Sequence, residues 1–265
     1  MDPQVIAAMA RWPNVPDVHG WLSLSRQGVW RLHPQGRGWT VGGAHAADAD
    51  GADTPDAGRG TGGASGEADT EADTEAGAET DDSAADPGEA ITNPQIIDFI
   101  GRNYAGDDRG RWYFQNGPQR VYVRLDGAPW ILRTDRDARG GLLLRTHTGR
   151  PYGPVTHWWL DEDGRLYAQA GQGAGLVSGR DMAEVIDALL TPEGQPLAEL
   201  LEAGASAIPA LRLGAPDPSN SSGAPADTIG KSAVTFAPLG TIPAQGVEAT
   251  LGFVRRPMPQ PAGKA

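Results

Sequence analysis

RWYFQNGPQRVYVRLDGAPWILRT, residues Arg111–Thr134, is the stretch that decides the fold. Val121, Val123 and Leu125 alternate with Arg120, Tyr122 and Arg124, the period-two pattern of a strand with two unlike faces. Asn116-Gly117-Pro118 and Asp126-Gly127 supply turn chemistry on either side. Short apolar strands joined by such turns predict an antiparallel meander. No other segment is as rich in aromatic and apolar residues, so the remainder is expected to pack around it.

Working outward, Asn93-Pro94 and Asp2-Pro3 each read as an N-cap followed by a first-turn proline. They open two predicted helices, one with Val5, Ile6, Met9 and Trp12 on its apolar face, the other with Ile96, Ile97, Ile100 and Tyr104. GWLSLSRQGVWRLHP (20–34) predicts a hairpin turning near Gln27-Gly28, with Trp39-Thr40-Val41 as a third strand. Leu142-Leu143-Leu144 reads as a strand, and Thr156–Leu160 pairs with Arg165–Ala170 through Asp161–Gly164. Asp181–Leu190 is expected to be the last amphipathic helix. WLSLSRQGVWRL, WYFQNGPQRVYVRL and WWLDEDGRLYAQ share an aromatic strand, a glycine turn and a second aromatic strand. The β-propensity of those residues makes convergence the preferred explanation over duplication.

The chain has 265 residues and a net charge of −12. Fourteen acidic residues and one Arg fall in 45–90, whereas residues 91–190 balance twelve acids against twelve Arg. The tract 42–90 holds no Leu, Ile, Val or aromatic residue and cannot offset its ordering entropy, so it is predicted to be a disordered acidic loop. None of the eight Trp lies beyond residue 159, and the chain past Thr191 is rich in Pro, Ala and Gly. The expectation is therefore an α+β fold: residues 1–190 form one domain with a twisted antiparallel sheet of short hairpins and two or three packed helices. Residues 191–265 are expected to be a largely extended or disordered tail, with one short helix at Leu197, Leu200 and Leu201.

There is no Cys, which removes disulfides and thiolate chemistry. The N-terminus lacks the basic and apolar regions of a secretory signal, and no stretch reaches a membrane span, so a cytoplasmic protein is expected. GQGAGLVSGRD (171–181) sits where a phosphate loop would, but matches neither glycine fingerprint and reads better as a flexible connector. His147 and His157, with Asp161, Glu162 and Asp163, lack metal-ligand spacing, and no nucleophile elbow surrounds Ser178. No cofactor motif is present.

The candidate ligand-binding residues are Trp112, Tyr113, Gln115, Arg120, Tyr122 and Arg124, an aromatic and Arg-bearing sheet face. They predict a non-enzymatic binding or accessory module for a protein partner or small acidic ligand. One alternative is an enzyme for a phosphorylated or carboxylated small molecule, using Arg clamps with His147 or His157. The other is a single-stranded nucleic-acid binder, stacking bases on aromatics between Arg residues and modulated by the acidic insert. The segments MARWPNVPDVHGWLSLSRQGVWRL (9–32) and ITNPQIIDFIGRNYAGDDRGRWYFQNGPQRVYVRLDGAPWILRT (91–134) resemble a family of uncharacterised bacterial proteins, classed as a domain of unknown function, over roughly residues 1–41 and 91–190. That resemblance implies one domain and supplies no catalytic residues.

Overall fold

A computed structural model describes residues 1–38, 88–138, 140–204, 208, 210–213 and 236–259. The expected strand at 39–41 and the acidic insert up to residue 87 lie outside these residues. In chain order the elements are α1 (Pro3–Arg11), β1 (Val18–Leu24), β2 (Trp30–Leu32), β3 (Glu89–Ala90), α2 (Pro94–Arg102), β4 (Tyr104–Gly106), β5 (Trp112–Asn116) and β6 (Gln119–Leu125). There follow β7 (Trp130–Arg136), β8 (Leu142–Thr146), β9 (Val155–Asp161), β10 (Leu166–Ala170), β11 (Gly173–Val177), α3 (Met182–Ala188) and β12 (Leu189–Leu190). The last are α4 (Leu197–Glu202), β13 (Arg212–Leu213), β14 (Leu239–Ile242) and α5 (Val247–Leu251).

The fold is α+β, with the strands in two six-stranded sheets ordered β3-β2-β1-β6-β5-β4 and β14-β9-β10-β11-β7-β8, plus the pair β12-β13. The hairpins lie where the period-two pattern puts them, but the expected meander is divided: β5 and β6 pair, whereas β7, expected to follow through the Asp126-Gly127 turn, belongs to the second sheet. Three joints between them are parallel: β1 with β6, β7 with β11, and β9 with β14. These joints connect residues far apart in sequence, which local alternation cannot reveal.

The two sheets repeat one design. In each, a hairpin (β1–β2 or β7–β8) abuts a meander (β4–β5–β6 or β9–β10–β11), and the first hairpin strand runs parallel to the last meander strand. The equivalent turns share Asp, Gly, Arg, Tyr and Gln at the same spacing: DDRGRWYFQ at 107–115 and DEDGRLYAQ at 161–169. A shared pairing order with a shared motif at the matching turn favours duplication over convergence. Both turns close alike: the first Asp amide donates to the carbonyl of the fifth residue, and the glycine amide donates back to the Asp carbonyl. Gly110 and Gly164 sit at φ of 73° and 74°, the left-handed conformation of a type I turn with a glycine bulge. The same closure recurs at Ser25–Val29, Asp137–Gly141, Thr146–Arg150 and Thr191–Gln195.

Between the sheets, Trp112 and Tyr104 of the first meet Trp130 of the second, and Trp30 meets His147 at 5.3 Å. Trp112 and Trp130 lie edge to face at 5.1 Å, and Tyr104 and Trp130 at 5.3 Å. Such pairs contribute about 0.5–1.5 kcal/mol beyond their buried area. Room for the indoles comes from small residues opposite them. A Cβ on Gly173 would stand 3.1 Å from Trp112, and one on Gly175 would stand 2.7 Å from Leu132. The glycine run read as a flexible connector is therefore strand β11, and its glycines are packing features.

Residues beyond 191 correct the expectation of a tail. Leu197, Leu211, Ala237, Ile242, Val247, Leu251 and Phe253 are buried in the same core as the meander. The low hydrophobic density hid them because each short apolar pair is separated by Pro- and Gly-rich chain. The helix expected at 181–190 is α3, ending at Ala188; Leu189-Leu190 turn into strand β12. Ile96, expected on the buried stripe of α2, is exposed, whereas Ile100 is buried. Tyr104 is also buried, but as the first residue of β4 and not in the helix.

Gly175→Ala is expected to destabilise the protein by about 1–3 kcal/mol, because its methyl enters space Leu132 occupies. Gly171→Ala, whose Cβ would meet nothing within 4 Å, is expected to be neutral or slightly stabilising. Urea-unfolding midpoints of the two variants check the contrast; equal effects would return the run to a simple connector.

Candidate functional site

The alternation in β5 and β6 splits the predicted ligand face. Trp112 points into the core between the sheets, while Tyr113, Gln115, Arg120, Tyr122 and Arg124 share the opposite face, paired across β5–β6 as Tyr113↔Tyr122 and Gln115↔Arg120. That face is covered. Relative exposure is 7% for Tyr113, 0% for Gln115, 0% for Tyr122 and 5% for Arg124, and only Arg120 is half-buried. His19 stacks on the Tyr122 ring at 4.7 Å and the Arg111 guanidinium lies over it at 4.6 Å, so both ring faces are occupied. Arg120 covers Tyr113 at 4.8 Å. A ligand has no aromatic surface to stack on here.

The other Arg residues are consumed in the same way. Arg111 pairs with Asp107 at 2.7 Å, Arg124 with Asp126 at 2.9 Å and the Gly38 carbonyl, Arg136 with Glu184, Arg145 with Asp135, and Arg165 with Asp163. Burial raises the Asp107 carboxyl, but hydrogen bonds from Arg111 and the Arg109 amide outweigh it and hold the group below the usual carboxylate range. The equivalent Asp161 accepts from Tyr167, whose hydroxyl is pushed up to about 12 by burial and then by the neighbouring carboxylate. These guanidiniums act as fasteners of turns and strands.

His147 and His157 do not converge. His157 lies on β9 and His147 just beyond β8, with three strands between them, roughly 19 Å at about 4.8 Å per strand. Among the described residues no three His, Asp or Glu side chains are grouped to hold a metal ion, and no helix is long and apolar enough to cross a membrane.

A concave site does form elsewhere, where α2 meets the Thr146–Arg150 turn. Ile97, Asp98, Gly101, Arg102, His147, Thr148 and Arg150 line a cleft of about 120 Å³. The helix can approach because residue 101 is glycine: a Cβ there would stand 3.2 Å from the Thr148 side chain. The turn is fixed by its backbone closure and by the Thr146–Thr148 hydroxyl contact at 2.9 Å. Asp2 holds Arg102 through Nε at 3.1 Å, and Asn103 ties the Asp2 amide and carboxylate to the end of α2. Arg150 is exposed and has no carboxylate within 4 Å among the described residues. Asp98, Arg102, Thr148 and Arg150 escaped the sequence reading because no local pattern links a helix to a turn about fifty residues away. Gly101 inside an otherwise helical stripe was the available signal, since such a glycine marks close packing.

His147 forms the cleft's inner wall. Its Nδ1 accepts the Ile131 amide at 3.3 Å, which places the ring proton on Nε2. Nε2 has no solvent contact and no hydrogen-bond partner. It lies among Trp30, Trp130 and Tyr104, whose ring centroids are 5.3, 5.8 and 6.0 Å away, where an N–H can rest on aromatic faces. Burial, reinforced by Arg133, lowers the imidazole to about 3. A base so weak and so enclosed is unsuited to proton transfer near neutral pH.

The chain matches, over residues 1–50 and 72–258, the family described as protein of unknown function (DUF2946), and it belongs to that family. A search of curated proteins finds no match. Among solved structures it is similar to a DUF1285 family protein from Silicibacter pomeroyi DSS-3, with 14% identity and a TM-score of 0.38, covering 76% of this chain and 99% of that one. It is also similar to a DUF1285 family protein from Shewanella baltica OS155, with 16% identity and a TM-score of 0.28, covering 35% and 75% respectively. At these TM-scores neither likeness carries an argument.

The depressed His147 has a consequence for stability. Above pH 6.5 the imidazole is neutral whether the chain is folded or not. From there down to about 3 only the unfolded chain takes the proton, so stability falls as pH falls, by at most about 1.4 kcal/mol per pH unit. His147→Phe is expected to be about 1–3 kcal/mol less stable at pH 7.5, since the Ile131 amide loses its acceptor. It should nonetheless lose less stability than the wild type between pH 6.5 and 4.5. Denaturant midpoints across that range test this; an unchanged slope would remove His147 as the source.

Proposed function

We propose that this DUF2946-family chain is a non-enzymatic binding or accessory module that holds a small acidic ligand in the cleft between α2 and the Thr146–Arg150 turn. The observation that carries the reading is the state of its two guanidiniums. Arg150 has no carboxylate partner among the described residues, and Arg102 shares only its Nε edge with Asp2. Both stand at a preformed concavity of about 120 Å³. At about 30 Å³ per water that is room for roughly four water molecules, the bulk of a carboxylate or a small oxyanion. Thr148 puts further polar atoms beside it.

The aromatic part of the sequence-based expectation is replaced by this site, because Tyr113 and Tyr122 are already covered by Arg120, Arg111 and His19. The enzyme alternative rested on His147 with His157 and Asp161–Asp163, which lie apart. For nucleic acid, most Arg forks that would meet phosphates are bonded within the fold.

Titrating the full chain with acetate and with inorganic phosphate at low ionic strength, followed by amide NMR, is expected to give saturable shifts at Gly101, Thr148 and Gly149. Arg150→Gln should weaken binding about tenfold, the worth of one charge-assisted hydrogen bond, and added salt should weaken it as well. Absence of saturable shifts, or shifts indifferent to Arg150→Gln, would remove the cleft as the binding site.

A further inference from the structure

Asp98 is the residue of the cleft that a simple anion leaves unexplained. It lies one helical turn before Arg102 on α2, the spacing at which an acid and a base ordinarily pair. Arg102 is instead drawn to Asp2, through both carboxylate oxygens at 3.1 and 3.2 Å. Asp98 is exposed, lines the cleft, and has no ion pair within 4 Å among the described residues. The cleft therefore presents an uncompensated carboxylate from the helix and an uncompensated guanidinium, Arg150, from the facing turn.

We infer that the ligand is a small zwitterion of the α-amino-acid type, its carboxylate held by Arg150 and Arg102 and its ammonium by Asp98; this inference rests on the cleft reading above. A lone carboxylate would satisfy the guanidiniums and be repelled by Asp98, whereas a lone amine would do the reverse. A molecule bearing both charges a few ångströms apart neutralises both walls at once. Guanidinium forks suit a planar carboxylate, which accepts two parallel N–H bonds, and an ammonium suits a carboxylate as a compact donor. Size narrows the class further. A cleft of about 120 Å³ holds a ligand of few heavy atoms, so glycine, alanine and serine fit within it and longer side chains have to project outward. Ile97 supplies the one apolar wall and favours a short aliphatic substituent.

The test compares alanine, acetate and methylammonium as probes of the full-length chain at matched ionic strength, read by amide shifts at Gly101 and Thr148. Alanine is expected to bind at least tenfold more tightly than acetate, and methylammonium to bind no better than acetate. Asp98→Asn, an exposed substitution whose folding is checked by its melting curve, should abolish the alanine advantage while leaving acetate binding equal or tighter. Arg150→Gln should weaken both alanine and acetate. Alanine binding no tighter than acetate, or an advantage that survives Asp98→Asn, overturns the zwitterion and leaves the anion site standing. Failure of both probes to bind overturns the two readings together.

Discussion

The structure depends on where the indoles of Trp112 and Trp130 find room. Each belongs to a different sheet, and they meet edge to face at 5.1 Å in the layer between them. Side chains of that size need a bare position opposite them, and β11 supplies it with Gly173, while Gly175 makes room for Leu132. The Trp130 Nε1–H donates to the Gln172 carbonyl at 2.8 Å, pinning the ring at the start of the same strand. Tyr104 completes the contact, its hydroxyl bonded to the Pro129 carbonyl at 3.1 Å. Fully burying each such ring is worth roughly 1.5–3 kcal/mol, but the geometry matters more than the sum. The parallel joint of β7 with β11, and through it the second sheet, is compatible with only one sequence of sizes along the two strands.

That requirement explains which parts of the fold were legible. The helices after Asp2 and Asn93, the turns at Gln27-Gly28 and Asp161–Gly164, and the alternation through Val121–Leu125 are local, set by residues a few positions apart, and they form where they were read, although Ile6, Trp12 and Ile96, expected on the apolar helix faces, are exposed. Alternation also separates Trp112 from Tyr113, although the sequence reading placed both on one face. What it could not supply was the identity of the covering layer. Arg120, Arg111 and His19 reach the tyrosines from other segments, so a face that looks solvated in sequence is closed in space. The glycines at 173 and 175 misled for the same reason: glycine for mobility and glycine for close approach leave one signature, and only the facing side chain, Trp112 at Gly173 and Leu132 at Gly175, separates them.

Arginine in this chain illustrates a wider point about charge. Twelve of them between residues 91 and 190 suggest a surface built for anions. Several instead pair with an aspartate a few residues away, as Arg111 does with Asp107 and Arg165 with Asp163, or lie over a tyrosine ring, and others reach distant partners, as Arg136 does with Glu184. An exposed ion pair of this kind contributes little to stability. It does settle the direction of a side chain, and so decides which guanidiniums remain for a ligand. The small number left over, not the total, marks the proposed site.

The final segment bears on how the protein is made. β14 adds to β9 in the second sheet, while the Val254 amide bonds the Gly110 carbonyl and the Leu125 amide bonds the Arg255 carbonyl in the first, both at 2.9 Å. Phe253 enters the core between them. Residues 239–255 are thus a clasp on both sheets. During synthesis, the first meander, ending at Leu125, and the second, ending at Val177, both emerge before the piece that seals them, which begins only at Leu239. A nascent chain would carry open strand edges and an unfinished core for most of its time on the ribosome, the condition under which chains associate wrongly. Late closure is therefore built into the order of the strands, independently of how stable the completed fold becomes.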